Sequence, residues 1–262
     1  MAEPQIRFDD GAGYERMMGK WSRLAGEVFL DWLNPPPALR WVDVGCGNGA
    51  FTELLTERCA PAEIQGVDPS DAQLSFARGR HRAGAAQFQN GDATALPFAD
   101  DRFDAAVMAL VIFFVPEPAK GVAEMARVVR PGGMVASYAW DIEGGGFPAE
   151  PILAELRAMG FPPIRPPSFA ASRMDNLLAL WRGAGLTEIE TREIAVQRSF
   201  LGFEDFWSTV LLGASVKATV AKMTAAQIGA VKQKLRAQLA GDHDGPITTG
   251  ARANAIRGRV PA

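Results

Sequence analysis

The sequence predicts an α/β fold built on a doubly wound, mostly parallel sheet, and three observations carry that expectation. Short β-rich runs alternate with helical patterns from residue 41 to about 140, a glycine-rich turn follows the first run, and an acidic residue ends the second. The 262 residues suit one such domain with a small helical cap rather than two full domains. Hydrophobic residues at 48% against charged residues at 22% place the chain among globular proteins, away from disordered ones.

The elements follow in order. WVDV at 41–44 is a first strand, and Phe51, Leu54, Leu55 and Cys59 then share a helical face that ends before Pro61. EIQGVD at 63–68 is the second strand, PSDAQLSFARGR a helix and AAQFQNGD a short third strand. FDAAVMALVIFFV from Phe103 is apolar after Asp104, as a buried central strand running into a loop requires. The next helix is expected to bury Ala119, Val122, Ala123, Ala126 and Val129, to stop at Pro131-Gly132-Gly133, and to be followed by MVASYAW as a fifth strand.

After Trp140, Gly- and Pro-rich stretches surround a short amphipathic helix built on Ile152, Leu153, Leu156 and Met159. Ser172 with Asp175 is a capping-box pattern opening a helix through Trp181, and TEIETREIAV is a further strand. Phe203, Phe206, Trp207, Val210 and Leu211 form one helical face, Ile228, Val231, Leu235 and Leu239 another, and ARANAIRGRV closes the chain as a strand. Near the start, Leu24, Val28, Phe29 and Trp32 make the apolar face of an amphipathic helix.

Composition narrows the function. A formal charge of −3 and scattered Lys and Arg residues argue against a nucleic-acid partner. The two cysteines, Cys46 and Cys59, lack metal-ligand spacing, and the two histidines, His81 and His243, lie far apart, so the chain reads as metal-free and cytoplasmic. The opening MAEPQIRFDDGAG lacks a secretory pattern, and no apolar run reaches membrane-spanning length.

The chemistry gathers at VDVGCGNGAF. Gly45, Gly47 and Gly49 sit where the first strand turns into the first helix, and let backbone approach a ligand at the carboxyl edge of the sheet. A plain structural turn has the same composition, and Gly45, Gly47 and Ala50 also satisfy the dinucleotide pattern G-x-G-x-x-A. Asp68, ending the second strand, puts a carboxylate where both hydroxyls of an adenosine ribose can donate to it, which points to a nucleoside without choosing among cofactors.

With GDATALPF at 91–98, FDAAVMALVIFFVPEP and RVVRPGGMVASYAW in the same order, residues 41–140 resemble the class I S-adenosylmethionine-dependent methyltransferases, in particular the ubiquinone and menaquinone type. The resemblance implies a seven-stranded Rossmann-like sheet whose last strand is antiparallel and inserted beside the fifth. It implies S-adenosylmethionine as cofactor: Asp43 and the Gly45 carbonyl hold its amino group, Asp68 its ribose, Asp92 and the Ala93 N–H its adenine, and Ala109 backbone its methionine part, with Cys46 and Pro69 in the same loops. Tyr14 and Trp21 could lay an N-terminal flap across it. Many relatives carry polar or His residues after the fourth strand, whereas this chain has Phe113 and Phe114, which are core packing or, with Trp140, a wall of the acceptor pocket.

The expected division is a core of about 34–141, 171–199 and 246–262 under a cap of 1–33, 142–170 and 200–245, with Gly144-Gly145-Gly146 as a hinge. The cap's large apolar residues favour a small apolar or aromatic methyl acceptor. A nicotinamide-dependent oxidoreductase and a cofactor-binding regulator without transfer activity are the alternatives, since a fold does not fix a reaction.

Overall fold

A computed structural model describes residues 15–80, 84, 86–162, 164–241 and 245–262. The strands are β1 (Arg40–Val44), β2 (Glu63–Asp68), β3 (Gln87–Asn90), β4 (Phe103–Ala109), β5 (Val129–Trp140), β6 (Thr187–Phe200) and β7 (Ile247–Arg259). They form one seven-stranded sheet of order β3-β2-β1-β4-β5-β7-β6. Strands β1 to β5 pair in parallel, and β7 runs antiparallel to both neighbours, β5 and β6. The near-continuous apolar runs of β1 and β4 are buried because helices cover both faces of a parallel sheet.

The helices are α1 (Lys20–Leu33), α2 (Ala50–Cys59), α3 (Asp71–Arg78), α4 (Pro118–Val128), α5 (Glu150–Ala158), α6 (Met174–Gly183), α7 (Phe203–Val210), α8 (Ala214–Val220) and α9 (Ala225–Leu239). A π-helical turn, Glu15–Gly19, leads into α1. Helices α1 and α2 meet the sheet through one aromatic cluster: Phe29 lies 4.6 Å from Tyr138 of β5 and 6.1 Å from Phe51 of α2. On α6, Trp181 is fully buried and its Nε1 donates to the Val135 carbonyl at 3.1 Å. No helix among the described residues is long and apolar enough to cross a membrane.

Several local expectations are corrected. The buried stripe of α4 is Val122, Met125 and Val128, leaving Ala119 and Ala123 exposed, because large side chains rather than alanines gain from burial. Likewise α1 buries Trp21, Ala25, Phe29, Leu30 and Leu33, while Leu24, Val28 and Trp32 are half-buried. Met159 is exposed beyond the end of α5. No capping box forms at Ser172, whose hydroxyl donates to the Phe169 carbonyl within a 3₁₀ turn; Asp175 pairs with Arg173 instead. The fifth strand begins at Val129, and Pro131-Gly132 is absorbed as an irregularity between the Phe103–Val129 and Ala105–Met134 pairs.

The two last strands are longer than expected. Trp140, the end of β5, pairs with Ala253, so residues 247–252 of β7 pair only with 195–200 of β6. At ~3.4 Å per residue this two-stranded arm overhangs the carboxyl edge of the sheet by ~20 Å.

Replacing Phe29 with Ala removes a fully buried ring from the α1–α2–β5 cluster and is expected to destabilise the protein by about 3–5 kcal/mol. Urea unfolding measures this, and a loss below about 1 kcal/mol would show that α1 stands outside the cooperative core.

Candidate functional site

The turn from β1 into α2 is bound to the end of β2. The Gly45 and Cys46 N–H groups both donate to the Val67 carbonyl, at 2.7 and 3.0 Å, and the Gly49 N–H donates to the Cys46 carbonyl at 2.9 Å. Gly45 has φ +73°, and a Cβ there would lie 2.4 Å from a methyl of Val111, so this turn is pressed against the segment leaving β4. Gly47, at φ +53°, has nothing within 4 Å of the place a Cβ would take, and its backbone borders open space.

Two carboxylates organise this turn. Asp68 accepts from the Gly47 N–H at 3.0 Å through Oδ2 and from the Ser70 N–H at 2.9 Å through Oδ1, joining the glycine loop to the start of α3. Burial raises its pKa against the pull of those two donors. Each oxygen keeps a lone pair for a further donor. Asp43 lies beneath the loop with no solvent exposure. Its Oδ2 accepts from Thr52 Oγ1 at 2.6 Å, while Oδ1 has no partner among the described residues. Burial pushes the Asp43 carboxyl up to about 7, the Thr52 hydrogen bond opposes that shift, and the Asp68 charge adds to it.

The neighbouring strand ends bring the other expected positions to the same edge. Pro69 follows β2, and its carbonyl accepts from Asn90 Nδ2 at 3.1 Å. Asp92, just after β3, is exposed, and its Oδ1 accepts from the Thr94 N–H and hydroxyl, both at 2.7 Å, which holds its pKa below the usual range. Ala93 is half-buried beside it, and Ala109 ends β4 opposite Tyr138. Asp43, Gly45, Cys46, Gly47, Gly49, Asp68, Pro69, Asp92, Ala93 and Ala109 thus all lie at the carboxyl ends of four adjacent parallel strands. The Cys46 thiol is buried, and desolvation raises its pKa, which favours the protonated form.

The aromatic positions are deeper. Phe113 is buried edge-on to the half-buried Phe114 at 4.7 Å, and its carbonyl accepts from the Ser168 N–H, so it anchors the segment before α6. Trp140 is buried with no partner for its Nε1 among the described residues, and Trp21 is buried where the π-helical turn enters α1. Tyr14, His81 and His243 lie outside the described residues.

The sequence reading missed the side chains that tie the N-terminal turn down. Glu15 Oε2 accepts from Asn48 Nδ2 at 3.0 Å and Arg80 Nη2 at 2.7 Å, and Arg80 also reaches the Asn48 carbonyl and Glu53. Partners so far apart leave no local pattern. Thr52 could have been found, as a hydroxyl inside the apolar stripe Phe51, Leu54 and Leu55. At Gly144-Gly145-Gly146, where a hinge is expected, Asp141 accepts from the Gly144 N–H and Arg252 binds both Asp141 and the Gly144 carbonyl. A Cβ on Gly146 would lie 2.5 Å from the Arg252 carbonyl, so close packing accounts for that glycine.

A cavity of ≈ 210 Å³ lined by Leu33, Leu39, Asp104 and Arg257 lies at the opposite, amino edge of the sheet. Its Arg130 pairs with Asp104, its Arg257 with Glu190 and its Arg259 with Glu188, which leaves little unmet chemistry for a ligand.

Because folding favours the neutral form of Asp43, its contribution to stability is full below the unfolded carboxylate range near 4 and is lost as pH rises toward about 7. At ~1.4 kcal/mol per pKa unit the loss is on the order of 4 kcal/mol. The Asp43→Asn variant is expected to lose this dependence, so urea midpoints at pH 5 and pH 8 should differ less than in the parent. Equal pH slopes in the two proteins would assign the titration to another group.

The sequence profile of the family described as "Methyltransferase domain" matches residues 42–137. The malonyl-[acyl-carrier protein] O-methyltransferase of Methylococcus capsulatus is 35% identical over 154 residues, 58% of this chain and 51% of that one. The demethylmenaquinone methyltransferase of Renibacterium salmoninarum is 38% identical over 114 residues, 44% and 45% of the two chains. The chain spans about half the length of the curated relatives it matches. Among solved structures, a Bacillus halodurans protein assigned as a methyltransferase superposes with a TM-score of 0.61 at 15% identity, over 90% of this chain and 99% of its own, a likeness of fold. With the strand order and the glycine loop already described, residues 42–137 are a methyltransferase domain of the class I, S-adenosylmethionine-dependent kind, related to the menaquinone and ubiquinone methyltransferases.

Proposed function

We propose that the protein transfers the methyl group of S-adenosylmethionine to a small apolar or aromatic acceptor. The observation that carries this is Asp43 Oδ1, a buried carboxylate oxygen without a partner among the described residues, beneath a glycine loop whose Gly47 backbone faces open space. A buried charge without a partner is costly, and the amino group of the cofactor's methionine part would supply one. Asp43 and the Gly45 carbonyl hold that group. Asp68 takes the ribose hydroxyls with the lone pairs that Gly47 and Ser70 leave it, and Asp92 with the Ala93 N–H meets the adenine.

When bound, the cofactor supplies a methyl group on a positively charged sulfur. The protein then has to align the acceptor with the sulfur–methyl bond and exclude water. Phe113, Phe114 and Trp140 wall the acceptor side, and the N-terminal turn with Trp21 and the segments 142–170 and 200–245 forms the cap. One relative is named a demethylmenaquinone methyltransferase, which supports an acceptor of quinone-like, aromatic character. The family match supports neither a nicotinamide oxidoreductase nor a regulator without transfer activity. Cys46 and Cys59 are unpaired thiols, in keeping with the reducing cytoplasm.

Titration calorimetry is expected to show S-adenosylmethionine and S-adenosylhomocysteine binding more tightly than NAD or NADP, and tighter nicotinamide binding would sink the proposal. The affinity for S-adenosylhomocysteine should rise as pH passes upward through about 7, because only the ionised Asp43 attracts the amino group. Asp68→Ala is expected to weaken cofactor binding by about 1–3 kcal/mol. Unchanged affinity in a folded variant would place the ribose elsewhere.

A further inference from the structure

Of the six buried side-chain polar atoms without a partner among the described residues, four gather in one region: Trp140 Nε1, Arg198 Nε, Thr209 Oγ1 and Thr249 Oγ1. Register puts three of them on a single face. Arg198 is directly opposite Thr249, and Trp140 pairs with Ala253, which is opposite Ile194. Alternation then places Trp140, Ile194, Val196 and Arg198 on the side where Tyr138 meets Phe29 of α1. The fourth, Thr209, is one turn along α7 from Phe206, whose ring packs 5.3 Å from Phe200 of the same face.

Arg198 is the anomaly. It occupies a core-facing position of β6 with only 7% of its surface exposed, and it makes no ion pair among the described residues. Asp205, the carboxylate whose charge it feels, accepts from the Leu201 N–H and pairs with Arg16 at 3.8 Å. Nη1 and Nη2 of Arg198 donate instead to the main-chain carbonyls of Met17 and Arg16, at 2.9 and 3.2 Å. A buried guanidinium stacked 4.5 Å over the Phe200 ring with no anion among the described residues, beside Trp140 Nε1 and threonine hydroxyls that also lack partners there, is a site that the oxygen atoms of a ligand can answer.

Building on the methyltransferase reading, we infer that this face binds the acceptor and that the acceptor carries a carboxylate at the end of an apolar body. The carboxylate takes the Nε–Nη2 edge of Arg198 in a two-pronged pair, with the Thr249 hydroxyl beside it, and displaces the Arg16 carbonyl that stands in for it. The Met17 carbonyl stays on Nη1, so the π-helical turn remains tethered while it shifts to admit the ligand. Between Arg198 and Trp140 the same face carries only Val196, Ile194, Ala251 and Ala253, a path of ~13 Å at ~3.4 Å per residue along which an apolar body lies toward the strand ends holding the cofactor. Met17 and Met18, buried in the turn above, are flexible enough to repack around it.

The test is calorimetric, with benzoate, octanoate and dodecanoate each titrated against its primary amide, on protein loaded with S-adenosylhomocysteine and on free protein. At least one carboxylate is expected to bind tenfold or more tightly than its amide, and Arg198→Gln is expected to abolish that ratio. An Arg198 that only anchored the N-terminal turn would, when replaced, weaken acid and amide alike and keep the ratio, which overturns the inference. So does the absence of any tenfold preference in the parent protein. If Arg198→Gln does not fold, Thr249→Val decides: a threefold or greater loss for the carboxylate with the amide unchanged sustains the inference, and equal effects on both overturn it. The cofactor reading is judged separately, since failure of S-adenosylhomocysteine to bind leaves the carboxylate ratio on free protein intact.

Discussion

Asp43 sets the terms for the rest of the site. Its strand is central, flanked by β2 and β4, and the carboxylate it carries has no solvent exposure. Thr52, projecting from the first turns of α2, supplies one hydrogen bond, and the loop between strand and helix must therefore be short enough to hold that hydroxyl 2.6 Å away. The Gly45 and Cys46 N–H groups are spent on Val67 and that of Gly47 on Asp68, which fixes the loop's course, and the second oxygen of Asp43 has no partner among the described residues. The fold thus leaves one buried carboxylate oxygen unanswered among the described residues, the atom on which the proposed cofactor site rests.

The position of the cap follows from strand direction. Because β7 runs antiparallel, β6 ends and β7 begins at the same carboxyl edge, so the helices α7, α8 and α9 between them are delivered to the edge where the glycine loop lies. The segment between β5 and α6 leaves from that edge too. A sixth parallel crossover would have sent the same residues to the amino edge. The antiparallel strand also lets β6 and β7 continue past the end of β5, and this extension carries Arg198 and Thr249 above the sheet.

The strand–helix alternation, the glycine turn, Asp68 and the order of strand-end motifs were legible because each is local: a period, a turn residue, or a charge at a strand terminus. What escaped depended on distant partners or on a broken pattern. The stripe of α4 was misplaced because Ala119 and Ala123 count as apolar without having much to bury. The continuation of β6 past Val196 carries no apolar alternation to read, since Arg198 stands where the pattern calls for an apolar residue. Glu15, Asn48 and Arg80 meet only after the chain has folded.

Arg198 and the amino-edge cavity show which kind of space identifies a site. The cavity is open, yet its arginines and carboxylates already answer one another, and a ligand entering it would have to break those pairs. The face under the N-terminal turn is closed over, with Met17 and Met18 buried in that turn, yet Arg198 Nε, Trp140 Nε1 and Thr249 Oγ1 have no partner among the described residues. Filling can be rearranged at modest cost when the filler is unbranched and flexible, whereas an unmet buried donor cannot be satisfied by any repacking of apolar groups. The two departures from the hydrophobic pattern at the carboxyl edge, Asp43 below the loop and Arg198 on the arm, are accordingly of opposite sign. A ligand pair with a cationic group at one end and an anionic group at the other answers both, which is the charge order that S-adenosylmethionine and a carboxylate-bearing acceptor present.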